Sequence, residues 1–309
     1  CGNKFNNVGK YFMTHFSGII AKIKLNKSVK VNNKYEKTID GVYARRRLSI
    51  SESTQKKYKI FNFSAFLHHH PIQDYQHKSG LLSLIFLLKK IRYFSLRIPP
   101  EYSKKLVLDK FSHIYYLNHL KNILYDFFNL VPDLLLLFRK RILAKRKLPS
   151  LIFNNNNEYY IHYHVEHEPV KTNTVSLISN KDNYNLYKTH VNLNPTKQDL
   201  NSIIISHKII DNVLRQNKLG RLIYLENDIL KEIKSQIGFG GHLIGTTRMA
   251  KNYKDGVVDS NCKVFEMKNL YVAGSSIFPT SGEANPGFTI VALALRLSDH
   301  LFKIHNDAA

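Results

Sequence analysis

Two side chains sit in local settings suited to proton chemistry. His242 precedes a Gly-Thr-Thr turn at 245–247, and Asn285 is followed by Pro286-Gly287. An imidazole can accept or return a proton near neutral pH. A carboxamide does not titrate there but can hold an oxygen in place. Each residue taken alone has a plainer reading. A histidine beside a glycine turn is more often structural, and Asn-Pro is a common helix start, with Asn as the cap and Pro at the first helical position. Other histidines invite a metal reading and do not support it. His68-His69-His70 are consecutive and cannot all face one ion, and His162 and His164 share a strand face from which His167 turns away. No carboxylates at ligand spacing complete either group. These read as surface and sheet-face histidines, and no metal is expected.

Other chemical signatures are missing. Gly238-Phe239-Gly240-Gly241 has no acidic residue about 20 positions on, as a dinucleotide fingerprint needs. No Walker motif, GxSxG or HExxH occurs.

The elements around His242 and Asn285 follow from pattern. Leu270–Ala273 reads as a short buried strand ending in the small residues Gly274-Ser275-Ser276. Small residues at a strand's carboxyl end let a ligand approach the backbone. A helix should begin at Pro286 or Gly287 and run to about Phe302, with Phe288, Val291, Leu295 and Leu301 as its apolar members. Its free N–H groups and positive dipole end would favour an anion.

Upstream, Ile19–Val31 alternates apolar and basic residues, as a strand with one buried face does. Residues 33–57 read as loops and Tyr58–Phe66 as a strand. Helical spacing takes over from Tyr75 to Lys147, with Leu81–Leu88 as an apolar face, a break at Pro99-Pro100, a second helix over Leu106–Phe128 and a third over Val131–Leu143. The runner-up for this block is an amphipathic membrane-surface element, given the basic run Arg139–Lys147. Strands return over 158–193: Tyr159, Ile161, Tyr163 and Val165 alternate with polar residues, then Val175–Ile178 and Tyr187–Leu193. After the Asn154–Asn157 loop and these strands, Pro195 opens a helix to about Gln216. The fold class expected is α+β: an antiparallel sheet with a helical insertion, joined to a strand and helix of an incomplete α/β domain.

Composition sets outer bounds. The chain has 309 residues, 43% of them hydrophobic, which is incompatible with wholesale disorder. Its two cysteines, Cys1 and Cys262, exclude a disulfide framework. No apolar run approaches the roughly 18 residues of a membrane span. Lys plus Arg outnumber Asp plus Glu by 46 to 23, a net charge of +23. The basic residues are scattered and no nucleic-acid module accompanies them, so a solvated surface is expected rather than nucleic-acid binding.

The last 70 residues also carry a resemblance. His242-Leu-Ile-Gly-Thr-Thr-Arg-Met249, Gly256-Val-Val-Asp259, Asn269-Leu-Tyr-Val-Ala-Gly-Ser-Ser276 and Asn285-Pro…Thr-Ile290 stand in the order and spacing of the C-terminal part of glucose–methanol–choline (GMC) flavin oxidoreductases. Val8-Gly-Lys-Tyr-Phe-Met-Thr-His15 resembles the family's Val-Gly-Arg-x-Phe-x-x-His segment, and Val165-Glu-His-Glu-Pro169 with Val175-Ser-Leu177 resembles its substrate-domain strands.

The resemblance implies an FAD-dependent oxidation of CH–OH groups in a small-molecule alcohol or sugar. His242 and Asn285 match the family's catalytic pair, the first accepting the hydroxyl proton and the second orienting the oxygen. Their side-chain heads should converge within about 6 Å, allowing for a substrate oxygen or a water between them. Ala273 and Gly274 would approach the FAD pyrophosphate or ribityl chain, and Asn285, Pro286 and Gly287 the flavin ring edge. Residues 1–18 would be a remnant of the FAD-domain connection, 19–240 the substrate-binding domain with its helical insertion near 75–147, and 241–309 the C-terminal motif region.

Family members begin with a strand–GxGxxG–helix unit, which this sequence lacks. The expectation is therefore a C-terminal fragment whose missing partner is the N-terminal FAD-binding segment, one that holds flavin poorly and is inactive alone. The rival readings are a non-catalytic remnant and a basic protein that binds nucleic acid or a membrane surface.

Overall fold

The structure is a computed structural model that describes residues 2–32, 35–89, 91, 116–145, 157–236 and 241–307. The elements run β1 (Phe16–Leu25), β2 (Glu36–Lys37), β3 (Tyr43–Ala44), β4 (Leu48–Ser49), α1 (Glu52–Tyr58), β5 (Phe63–His68), α2 (Gly80–Lys89), α3 (Tyr116–Tyr125) and α4 (Phe127–Phe138). They continue with β6 (Glu158–Val165), β7 (Thr174–Lys181), β8 (Tyr187–Asn192), α5 (Lys197–Gln216), β9 (Gly220–Tyr224), α6 (Ile229–Ser235) and α7 (Gly287–Asp307). Pro99-Pro100, residues 106–115 of the expected second helix, Arg146-Lys147, Asn154–Asn156 and Gly238–Gly240 lie outside the described residues.

An α+β fold is built on one antiparallel sheet, ordered β4-β5-β6-β1-β9. The pleat sends alternate side chains to opposite faces. Phe63, Ala65 and Leu67 of β5 lie beside Val165, Tyr163 and Ile161 of β6. They share one apolar core with Ile203 and Leu214 of α5 and Ile233 of α6. Ser64, Phe66 and His68 lie beside His164, His162 and Tyr160 on the other face. Tyr160, His162 and His164 of β6 thus line this second face, which carries the polar chemistry.

β1 slips register against β6 between Gly18 and Ala21. The bulge frees the backbone of Ile19, and the Gln236 side chain takes it up, accepting from its N–H at 2.7 Å and donating to its C=O at 2.9 Å. A side-chain amide here replaces a strand neighbour. Helix α5 begins with a capping box: Thr196 accepts from Asp199 N–H and Asp199 accepts from Thr196 N–H. Such a cap contributes about 1 kcal/mol.

Several expectations need correction. β1 ends at Leu25 rather than Val31 and is buried on both faces through Ala21, because the second sheet face is also covered. Residues 33–57 hold a short hairpin and α1, whose cap Ser51 accepts from Thr54 N–H. β5 starts at Phe63 rather than Tyr58, since Tyr58 closes α1 and Lys59 turns left-handed (φ 51°). β7 and β8 pair, but as a separate two-stranded sheet. Pro195 lies outside α5, which Thr196 caps. β9 and α6 have no counterpart in the sequence reading.

Among the described residues the helical block packs on itself around Ile72, Leu81, Leu82, Ile85, Phe86 and Leu130. Leu130 is the buried residue of α4, while Phe128, Leu135 and Leu136 are exposed. No helix among the described residues is long and apolar enough to cross a membrane.

The histidines are mostly inside, not on the surface: His69, His70, His77, His167 and His207 are all under 5% exposed. Burial holds His69, His167 and His207 down to about 4 and His77 and His164 to about 3, against a usual 6.5. An unfolded chain would protonate these five rings at higher pH than the fold does. Their stabilising effect is then complete above pH 6.5 and is lost as pH falls toward about 4. Asp199, pushed up to about 6 by burial, acts in the opposite sense over part of that window, one group against five. An acid titration followed by circular dichroism and denaturant midpoint should show stability declining from pH 6.5 downward. A flat midpoint between pH 7 and 4.5 would contradict the burial of these rings.

Candidate functional site

Residues 9–16 run between two other segments and bond to both. On one side Val175 N–H donates to Gly9 C=O at 2.7 Å and Phe12 N–H to Asn173 C=O at 2.9 Å. On the other, Gly9 N–H donates to Thr246 C=O at 2.7 Å, and Met13 and Ile244 exchange a pair at 2.9 and 3.0 Å. Gly245 is the residue that permits this approach. Its φ is +92°, and a Cβ there would strike the Tyr11 carbonyl and the Met13 side chain. The glycine turn after His242 therefore has a packing reason, and it fixes where His242 projects.

His242 projects toward His15. The two Nδ1 atoms are 3.0 Å apart, with ring centroids 4.8 Å apart. His15 is fully buried at the mouth of β1, and its Nε2 lies 3.3 Å from the Ser281 carbonyl oxygen. The Ser281 hydroxyl in turn accepts from His167 N–H at 2.9 Å. Behind His15 stands His164, 6.4 Å away between ring centroids. Phe66 stacks on His164 and carries the Arg45 and Arg47 guanidiniums over its ring at 4.9 and 5.3 Å.

Burial lowers the pKa of His15, opposed by its contact with Ser281, lowered further by His242 and Arg47 and raised by Glu283. Burial also lowers that of His242. Both imidazoles are accordingly neutral at pH 7, the state in which a ring nitrogen can accept a proton.

Asn285 is exposed and directly precedes α7. No hydrogen bond joins it to His242 among the described residues. Ser281 ties its loop to His15, and four residues of chain reach at most about 14 Å.

The helix starts at Gly287, within the expected positions, but runs to Asp307 rather than Phe302. Its packed side is formed by residues other than the apolar members named from the sequence. Ile290, Leu293 and Leu297 meet a core of Met13, Ile244, Val258, Val264 and Ile277, whereas Phe288, Val291, Leu295 and Leu301 are exposed. Leu270–Ala273 is not a buried strand either. Tyr271 makes an isolated antiparallel bridge to Lys263, Leu270 is 40% exposed and Ala273 is exposed. One neighbour on one side is too little to make a ladder.

Gly274 has φ +129° and ψ −176°, a conformation close to glycine-only. A Cβ at Gly274, Gly282 or Gly287 would meet nothing within 4 Å. The backbone at these three glycines therefore faces open space, and Gly287 opens α7, at whose start a helix dipole is positive.

Residues 169–294 match the family model described as GMC oxidoreductase. Over these residues the chain is similar to the C-terminal domain of GMC oxidoreductases. The chain is 32% identical over 141 residues to the 2-methyl-1,2-propanediol dehydrogenase of Mycolicibacterium austroafricanum, covering 45% of this chain and 24% of that protein. It is 36% identical over 72 residues to the cholesterol oxidase of Acinetobacter baumannii, covering 23% of this chain and 13% of that one. A variant formate oxidase of Aspergillus oryzae RIB40, studied for FAD modification, superposes with a TM-score of 0.45 at 13% identity, over 98% of this chain and 48% of that one. The chain spans about a quarter of the length of the first of these relatives and about half of that structure. FAD is the cofactor of GMC oxidoreductases.

The sequence reading named His242 as a site residue but not His15, Arg47, His164 or Glu283. A signal for His15 was present: it ends the Val8–His15 segment and opens a strand. Its partners are remote in sequence, and no local pattern reveals them.

Gly245→Ala should destabilise the protein by about 1–3 kcal/mol, through a left-handed backbone and a backbone clash. Gly287→Ala, in the open first turn of α7, should cost nothing. Denaturant midpoints of the two variants check this, and equal midpoints would remove the packing role given to Gly245.

Proposed function

We propose that this chain supplies the proton-accepting and substrate-facing part of an FAD-dependent oxidoreductase acting on CH–OH groups of a small alcohol or sugar. The observation that carries the reading is a half-buried His242, its pKa lowered by burial, held by buried His15 on a family-matched segment that also includes the open glycines Gly274, Gly282 and Gly287. In this reading residues 1–18 and 241–309 serve the flavin side and 19–240 the substrate side.

The substrate hydroxyl donates to the His242 imidazole, which takes the proton as the carbon is oxidised. Asn285 hydrogen-bonds the same oxygen and fixes its direction. Bound at Ala273, Gly274 and the Asn285–Gly287 turn, FAD would take up the hydride that leaves the carbon. The alcohol thus loses one proton to His242 and one hydride, and a carbonyl remains. In this reading the sheet face of Phe66, His162 and His164 lies on the substrate side, where its packed rings suit a compact polyhydroxylated or apolar alcohol. Nucleic acid has no place in this reading.

Anaerobic mixing of FAD-loaded protein with a panel of alcohols and sugars tests it; where flavin is not retained, the GxGxxG unit of a relative can be fused. Flavin absorbance should bleach with at least one class. His242→Ala should slow bleaching by roughly 10²–10⁴-fold with flavin still bound. Asn285→Ala should slow it as well and loosen flavin. The rate should rise with pH through an acid limb lying below the usual histidine value of 6.5, because neutral His242 is the active form. An His242→Ala protein that turns over normally would refute the assignment.

A further inference from the structure

We propose that His15 is a positioning residue that sets the tautomer of His242, through a relay running from the Ser281 carbonyl to His15 and on to His242. The inference rests on His242 being the proton acceptor.

The argument is a count of donors and acceptors. A carbonyl oxygen accepts and never donates. The ring atom facing Ser281, His15 Nε2 at 3.3 Å, must therefore carry the hydrogen. A neutral imidazole has one N–H, so the other nitrogen, His15 Nδ1, holds a lone pair. His242 Nδ1 lies 3.0 Å from that lone pair, and a contact this short needs a proton between the atoms. His15 cannot supply it, so His242 Nδ1 does. His242 is left with its lone pair on Nε2, the atom away from His15 and the one able to take a substrate proton. In water a free neutral histidine favours the opposite tautomer, with the hydrogen on Nε2. The fold would then be choosing the minor form and keeping it.

The relay needs a neutral His15, and its surroundings supply that. The ring is fully buried. The groups acting on it are Arg47 from the segment before β4, His242 itself, and Glu283 beyond Ser281. His164 on β6 is the imidazole packed behind it. Burial, a charged His242 and Arg47 disfavour a second proton on His15, while the Ser281 contact and Glu283 favour one, and the net shift is downward.

The direct test needs neither flavin nor substrate. Long-range proton–nitrogen correlation spectra of the chain with labelled histidine, at pH 7.5, distinguish protonated from bare ring nitrogens. His15 should carry its hydrogen on Nε2 and His242 on Nδ1. Assignments come from single histidine substitutions. His15 protonated on Nδ1 or on both nitrogens, or His242 protonated on Nε2, would overturn the relay.

Two variants then read its consequence in FAD-loaded protein. His15→Gln can keep a donor to Ser281 but offers His242 no acceptor at the Nδ1 position. It should move His242 toward the Nε2–H form and lower kcat by roughly 10–100-fold with KM little changed. His15→Asn places an amide oxygen near the Nδ1 position and should recover much of that loss, which a purely structural role would not do. Failure of the two assignments is separable. If the tautomers are as stated but His242→Ala retains turnover, the relay stands and the proton-acceptor reading falls. If His242→Ala abolishes turnover while His242 carries Nε2–H, the acceptor reading stands and the relay falls.

Discussion

Everything at the site depends on the backbone clamp of residues 9–16. This strip bonds to Asn173–Val175 on one side and to Ile244–Thr246 on the other, then continues into β1 at the centre of the sheet. The clamp is made of main-chain bonds, so it tolerates no Cβ at Gly245, and Gly9 is pressed in the same way against Val175. Side chains contribute second. Met13 leaves the clamp for the core beneath α7, while His15 leaves it for the site. An eight-residue strip thereby couples the packing of the C-terminal helix to the placement of the His242 imidazole.

The two faces of the sheet do opposite work. One is apolar and covered by α5 and α6, and its burial stabilises the fold at roughly 25 cal/mol per Å² of apolar surface. The other buries imidazoles, which is expensive unless they stay neutral. His164 shows the consequence: neither ring nitrogen meets a partner among the described residues, and its pKa falls to about 3. A neutral, polarizable wall then stands behind His15. The Arg45 and Arg47 guanidiniums lie over the Phe66 ring beside that wall, and the charge of Arg47 helps keep His164 and His15 neutral.

How much of this the sequence discloses depends on the range of each interaction. The antiparallel strands of 158–193, the helix from Gly287 and the turn at Gly245 are local patterns, and the chain shows them. The bulge at Gly18–Ala21 and the exact span of β1 depend on Gln236, more than 200 residues away. Leu270–Ala273 looks like a buried strand because four apolar residues in a row usually are one. In the structure a single bridge at Tyr271 leaves half of it facing out. The apolar stripe of α7 misleads in a related way. Residues at i, i+3 and i+7 from Phe288 form a stripe, yet the neighbouring stripe of Ile290, Leu293 and Leu297 is the one that packs. A helix apolar on two sides does not say which side its own core will take. The histidines were misplaced outward for the converse reason. Their hydrophilic average hides that a neutral ring buries well when one nitrogen finds a carbonyl, as His207 Nδ1 does at 2.8 Å from Ile203 C=O.

Ser281 links the two halves of the proposed chemistry. Its carbonyl faces His15, and its hydroxyl takes the N–H of His167 on the loop after β6. One small residue thus holds the ring behind the proton acceptor and pins the turn that leads to Asn285. Both roles use its backbone or Oγ, and neither needs the side chain to reach the substrate. Movement of this turn would change the donor–acceptor state of His15 and the direction of Asn285 at the same time. In the proposed reading, the two groups that share one hydroxyl oxygen thus have a common anchor at Ser281, which bonds the ring behind one of them and lies on the turn that leads to the other.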